Sequence, residues 1–523
     1  MVNLTGTLGE YRFFPAIMLL LVSGISLMNG DVRAANEFVN YEDFGAKGDG
    51  KADDFEALVK AHEYANQHGR TVKVNDGKSY YIGGADRTIS IRTNTDFGKA
   101  RFIIDDTELE NYKASVFKVE SDLEPFKIKG VKSLSVGQRK IDVKLPGSCV
   151  ITVKDDNVKR FIRRGGNQNN GSPQTDTFLV DKRGNIDPNT PVIWEFKQLT
   201  SLVAMPMDKS TLTLRGGIFT TIANSTESTE STGYHARGIA IERSNVVIEG
   251  LQHHIAGEGK HGPPYRGFIR VSGCANVVIK DTILSGHKTY YKIGSAGRRV
   301  PMGSYDISIE KSLNISLVNV TQFNDIMDRN YWGIIGTNFC KNLSYDGCKL
   351  SRFDAHQGVT NATVRNSTIG HMGVLLTGFG EFLIENSTVQ SRRFIGLRQD
   401  YGSTWKGDII IRNCRFIPQK GGALIEGSND GQHDFGYTCY MPERLLIDGL
   451  KIEDGKPSDR GKGPVIFSDF SPRFKNADYK QKFPYVITRE VHIRNVSTTS
   501  GKLLQLSDNK FMFNKVKVHG LAR

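Results

Sequence analysis

Four residues have the types that acid–base and carboxylate-binding chemistry require. Asp354 and His356 lie in Arg352-Phe353-Asp354-Ala355-His356-Gln357-Gly358, and Arg398 and Asp400 in Ile395-Gly396-Leu397-Arg398-Gln399-Asp400. In an extended chain successive side chains point to opposite faces. Phe353 and Ala355 suit an interior, so Asp354 and His356 share the outer face; Ile395 and Leu397 place Arg398 and Asp400 likewise. An imidazole beside a carboxylate is oriented and can act as a general base near neutral pH. A guanidinium offers a carboxylate a planar, two-pronged partner. Abstracting the C5 proton of a uronic acid needs both, because the carboxylate must be neutralised before a base can take the proton. The set predicts His356 as base, Asp354 as its orienter, Arg398 with Asn338 as carboxylate neutralisers, and Tyr401 as donor to the leaving oxygen. Trp405 is expected to stack on a sugar, with His371, Arg392 and Arg393 as neighbours. Each has a plainer reading: Asp354 caps a turn, His356 is a surface histidine, His371 follows Gly370 at a turn, Arg392-Arg393 is a solvated corner. The coincidence of four such groups on one face favours chemistry.

The elements that must hold these residues are announced by a repeat. A cassette of Asn or a charged residue, two residues, an aliphatic or aromatic one, one residue, then Asn/Asp/Gly begins at 245, 276, 314, 342, 361, 381, 408, 444 and 490. The starts at 342, 361 and 381 are 19 and 20 residues apart, and the other gaps are longer. A fixed core with variable gaps is the pattern of stacked coils with loop insertions, and period-two alternation makes each cassette a strand. The fold class is all-β, a parallel β-helix. Asn-x-Ser/Thr triplets at Asn314, Asn342, Asn361, Asn366, Asn386 and Asn495 coincide with cassette boundaries and read as turn chemistry. The gaps 252–267 and 285–305, rich in His, Tyr, Lys, Arg and Gly, are expected to wall a groove, with His287, Lys288 and Tyr290 contributing to it.

The formal net charge of +13 and a pI near 9.2 favour an anionic partner. Without a concentrated Lys/Arg tract, nucleic acid is not the expected one. Of the six cysteines, Cys274 and Cys340 match in position, as do Cys348 and Cys414, and the set reads as small buried thiols. The histidines near 253–261 have no diagnostic ligand spacing, so no metal is assigned; no cofactor is required, and Ca²⁺ is compatible with the set. Phe13 to Met28 is apolar behind Arg12, and Val32-Arg33-Ala34 offers a cleavage site. This is the pattern of a signal peptide, too short to span a bilayer comfortably. The mature chain is expected to be secreted, periplasmic or surface-held, with no membrane span.

Asp43-Phe-Gly-Ala-Lys-Gly-Asp-Gly-Lys-Ala-Asp-Asp54, followed by an amphipathic stretch from Phe55 to Asn66 and Gly69, predicts a helix capped by Asp53 or Asp54. This segment resembles the N-terminal signature of the pectate-lyase superfamily of right-handed parallel β-helices. The resemblance implies that fold, with the helix covering one open end, and a tendency to act on carbohydrates; it implies no particular reaction. The expected organisation is a signal peptide (1–35), an N-terminal cap (36–85), irregular β-rich coils or an accessory subdomain (86–235), and regular coils carrying the groove (236–523).

The favoured reading is a polysaccharide lyase acting on a uronate-containing glycan. A glycoside hydrolase is the alternative: Asp354 and Asp400 would stand roughly 10 Å apart across two coils at ~4.8 Å each, near the upper end of the ~6.5–9.5 Å of inverting pairs. The Gly-His-Gly, Arg-Ile-Lys and adjacent Asp-Asp motifs of polygalacturonases are absent around these residues, which counts against that one family. A non-catalytic glycan-binding or tailspike-like β-helix is the third reading. The repeat pattern dictates no oligomeric state.

Overall fold

The computed structural model describes residues 37–520 except 231–232, 333–334, 420, 456–462 and 477. The expected signal peptide lies outside the described residues, among which no helix is long and apolar enough to cross a membrane.

All nine cassettes are strands, and each pairs in parallel with the next. One column of the register reads Val246, Val277, Ile315, Leu343, Ala362, Phe382, Ile409, Leu445, Val491, and every member is buried. Stacking these columns creates a continuous core that no single coil could form. At five of the nine cassettes a leading asparagine makes the turn into the strand. Asn245, Asn276, Asn314, Asn342 and Asn361 take left-handed backbone at φ 55–60°, which Asn tolerates better than other side chains. Their amides form a ladder, each Nδ2 donating to the Oδ1 one coil earlier at 2.9, 3.0, 2.8 and 3.3 Å. The six cysteines are buried and free. Cys274, Cys340, Cys348 and Cys414 each donate to a carbonyl of the preceding coil at 3.5–3.7 Å, so they serve as small inward-facing residues.

The helix Phe55–His68 packs over the first coils, burying Phe55, Leu58, Val59, Ala61 and Ala65. Asp53 Oδ1 accepts from Phe55 N at 3.0 Å, and Gly69 closes the helix in left-handed backbone. Asp54 is not the side-chain cap; its carboxylate accepts from Lys47 N at 2.6 Å and Gly48 N at 3.1 Å, fixing the preceding loop.

Between the strands Phe117–Val119 and Leu212–Ile222, both part of the solenoid, a separate four-stranded antiparallel sheet is inserted. Its strand order is Ser172–Val180, Cys149–Arg160, Ser201–Pro206, Phe126–Lys127, over a core that includes Ile151, Val153, Phe178 and Phe196. A buried ion pair, Lys341 Nζ to Asp176 Oδ1 at 2.7 Å, fastens this sheet to the coils.

Candidate active site

A second row of stacked strands carries the cleft on its outer face. Ile269–Ser272, Ile307–Glu310 and Ile335–Asn338 align Arg270, Ser308 and Gly336. The next three coils align Asp354, Leu375 and Gly396. Phe353, Ala355, Ile395 and Leu397 face the core, so the alternation expected for both segments holds. Glycine at 336 and 396 makes room for the side chains that lie across them, the Tyr305 ring and the Arg393 guanidinium.

Two loops wall it. The turn 161–171, which joins the long strands of the inserted sheet, brings Arg163 and Arg164 over the coils; Arg164 N donates to Asp400 O at 3.1 Å. The hairpin Tyr290–Ile293/Arg299–Met302 forms the other wall and meets the first, with Ala296 N donating to Gly166 O at 3.0 Å and Ser295 Oγ to Gln168 O at 2.6 Å. Two chambers result. One, of about 480 Å³, is lined by Arg163, Arg164, Trp332, Arg352, Arg398 and Asp400 among others. The second, of about 540 Å³, is lined by Lys113, Arg266, Arg270, Ser308, Gly336 and Asn338 among others. Tyr234, Tyr305 and His356 line both. The two tyrosine rings stack at 6.5 Å and 16°.

The first chamber contains an alternating chain of charges. Arg352 pairs with Asp354, which also meets Arg398 Nη1 at 3.4 Å. Arg398 holds Asp400 through Nε at 3.2 Å and Nη2 at 2.9 Å, and Arg163 Nη2 reaches the same carboxylate at 2.7 Å. Burial works to raise both carboxyls, but the guanidiniums outweigh it and hold Asp354 and Asp400 below the usual carboxylate range. His356 differs. Its Nδ1 lies 2.8 Å from Asn338 Oδ1, an acceptor, so Nδ1 carries the proton and Nε2 the lone pair. Nε2 has no hydrogen bond among the described residues. Burial, then the charge of Arg398, push the imidazole down to about 3, so the ring is neutral at neutral pH.

Several expected roles need correction. Asp354 does not orient His356: it is fully buried between Arg352 and Arg398, and Asn338 holds the imidazole instead. Tyr401 is 3% exposed, packed edge-on to His356 at 5.5 Å with Arg163 and Arg398 over its ring, and lines neither chamber. Trp405 lies in the core with its indole N–H on Gly380 O at 3.0 Å, so it has no face for a sugar. Arg392 and Arg393 both pair with Glu426 outside the chambers. His371 Nε2 lies 3.2 Å from Tyr331 O; its neighbour Met372 is the lining residue. His287, Lys288 and Tyr290 support the wall from behind through Glu258: His287 Nδ1 at 2.9 Å, Lys288 N at 3.0 Å, Tyr290 Oη at 2.5 Å. A Glu490, His492, His519 group has metal-ligand character but lines neither chamber.

Cleft residues that the repeat pattern does not announce are Arg163, Arg164, Tyr234, Trp332, Arg266 and Arg270. Arg266 and Tyr305 fall in the two gaps already expected to wall a groove. Arg270 occupies an outward position of a strand, where parity alone could have found it.

No protein-family model and no curated protein matches the chain. Solved structures do. The tailspike gp61 of Pseudomonas phage phi297 aligns over 92% of this chain and 84% of its own at 13% identity, with a TM-score of 0.51. The likeness is one of fold, the parallel β-helix. The tailspike gp49 of Pseudomonas phage LKA1 gives 12% identity over 92% and 84% of the two chains, with a TM-score of 0.48. PfbA, a surface adhesin of Streptococcus pneumoniae, gives 14% over 88% and 90%, with a TM-score of 0.44. Identities this low speak to fold alone.

Proposed function

We propose that the protein is an exported polysaccharide lyase that cleaves a uronate-containing glycan by β-elimination. The observation that carries this reading is His356: neutral, its Nδ1 held by Asn338, its Nε2 without a hydrogen bond among the described residues, lining both of two chambers rich in cations. Nε2 takes the C5 proton of a uronate. The carboxylate charge is met by Arg398 and its neighbours Arg163 and Arg352, fixed beforehand by Asp354 and Asp400, so little reorganisation is needed as charge develops. The C4–O4 bond breaks, C4 and C5 become doubly bonded, and the leaving oxygen needs a proton. Tyr234 is the assigned donor: it lines both chambers, and burial raises its hydroxyl well above its ordinary value, so it stays protonated. The hydrolase alternative is weaker, because an inverting pair needs one protonated carboxyl, and Asp354 and Asp400 are both tied to guanidiniums as anions.

The test incubates the mature chain with uronate-containing and neutral polysaccharides, following ultraviolet absorbance of an unsaturated uronate and, in parallel, new reducing ends, with and without chelator. Absorbance that rises with the native sequence and vanishes in His356→Ala supports elimination. Reducing ends without absorbance move the assignment to hydrolysis, and neither signal favours a binding protein. Loss of absorbance with chelator alone would add Ca²⁺ to the scheme.

A further inference from the structure

We propose that the second chamber is an anion subsite, which binds a carboxylate or sulfate of the same glycan chain some distance along the solenoid from the sugar at His356. The inference rests on the cleft being a glycan site. Lys113, Arg266 and Arg270 line this chamber, and no Asp or Glu does. The carboxylates nearest them are already shared: Glu242 between Lys118 at 3.2 Å and Arg270 at 3.6 Å, Glu310 between Lys311 at 2.8 Å and Arg266 at 2.7 Å. Lys113 has no carboxylate partner among the described residues, and its ammonium instead lies 5.5 Å from the Tyr112 ring centroid. Arg270 Nε is buried without any hydrogen-bond partner. Leaving a guanidinium N–H unpaired is costly, and an anionic ligand relieves it.

The floor fits a chain lying along the axis. Arg270, Ser308 and Gly336 are register partners on consecutive coils, so two small residues separate the guanidinium from the coil of His356. The Tyr305 ring lies across Gly336, where an added Cβ would meet Cε1 at 3.1 Å, so glycine gives the ring its place at the junction of the chambers. Three strand spacings of ~4.8 Å put Arg270 about 14 Å from His356 along the axis, farther than one sugar reaches. The substrate is therefore a polyanion with acidic groups on more than one sugar, not a chain with a single terminal uronate.

The test is binding, measured by calorimetry on the full chain with galacturonate oligosaccharides from disaccharide to octasaccharide, and with sulfated, uronate-free carrageenan oligosaccharides of the same lengths. Native affinity is expected to rise with length in at least one series, and the series identifies carboxylate or sulfate as the bound group. Arg270→Gln is expected to weaken the longest ligands by about tenfold, one charge-assisted hydrogen bond, and leave disaccharides unchanged; Arg270→Lys restores part. Thermal midpoints check that the variants fold. Equal binding of the longest ligands by native and Arg270→Gln protein, or no binding of either series, overturns the subsite. Elimination is followed separately. Unsaturated product with Arg270-independent binding removes the subsite and keeps the lyase; Arg270-dependent binding without product does the reverse.

Discussion

Replacing Asn338 by alanine tests the assignment of the base at a residue that never touches the reacting proton. In the native cleft the 2.8 Å contact between Asn338 Oδ1 and His356 Nδ1 selects the tautomer whose lone pair is on Nε2. A neutral hydrogen bond of this kind contributes about 1–1.5 kcal/mol, so its loss removes roughly a tenfold bias toward the productive tautomer. With the bias gone the productive tautomer falls from about nine-tenths to about half, so the turnover number in Asn338→Ala should fall about twofold with KM little changed, because substrate charge is met elsewhere. Asn338→Asp makes a sharper test. A carboxylate at this position stabilises the imidazolium and lifts the ring from about 3 to roughly 4–6. A base must be neutral to act, so activity is lost as pH falls through its pKa. The native acid limb in kcat/KM therefore lies below the range where the chain is assayed, and in Asn338→Asp it moves up into view. The assay is the initial rate of unsaturated-uronate absorbance against pH. A native acid limb near 6.5, or limbs that coincide in the two proteins, would refute His356 as a neutral base held by Asn338.

Two further outcomes concern the scaffold. Asp176→Ala leaves the Lys341 ammonium buried without its partner and should cost about 3–5 kcal/mol in urea unfolding; Asp176→Leu combined with Lys341→Met should recover most of it, and an additive double variant would contradict the pairing. Stability should also peak near neutral pH. Burial pushes His62 and His356 down to about 3 and, with Arg237, His235 to about 4, so the unfolded chain binds protons the folded chain refuses and stability falls as pH drops below 6.5. Burial also raises Asp106, to about 6, and Asp54 and Asp176, which oppose the histidines, whereas Glu120, Asp354 and Asp400, held low by their cationic partners against burial, act with them. In His287 the buried carboxylates Glu258 and Asp306 overcome desolvation and raise the ring to about 9, so its contribution is full below 6.5 and lost as pH rises through 9. Thermal midpoints across pH check both limbs, and a flat acid side would contradict the neutral buried histidines.

The solenoid was legible because two local rules recur: alternation between core and surface in every cassette, and an asparagine in left-handed backbone at the entry of five of the nine. The same parity rule placed Asp354 and His356 outward, but direction is not exposure. Arg352, two residues earlier on the same face, and Arg398, two coils on, close over Asp354. Trp405 was assigned against parity: counting in twos from Ile395 and Leu397 places it inward, and after the short helix Gln399–Tyr401 it does re-enter the sheet facing the core, opposite Gly378. Tyr401 was misplaced for a different reason: Arg163 lies over its ring from an insertion more than two hundred residues away in sequence, and no periodicity carries that information.

The division of labour in the cleft follows from this. The proposed base and its partner come from adjacent coils, His356 from Lys349–Arg365 and Asn338 from Ile335–Asn338, where backbone pairing fixes geometry tightly. Part of the positive field comes from loops: Arg163 and Arg164 from the inserted sheet, Arg266 from a gap between coils. Proton abstraction tolerates little displacement of the base, whereas charge acts over longer distances and tolerates more. On the proposed function, rigid coils for the base and variable loops for the field would let one solenoid accept different acidic glycans by changing loops. The Lys341–Asp176 pair matters to this arrangement because it ties the loop-bearing sheet to the strand that begins three residues after Asn338.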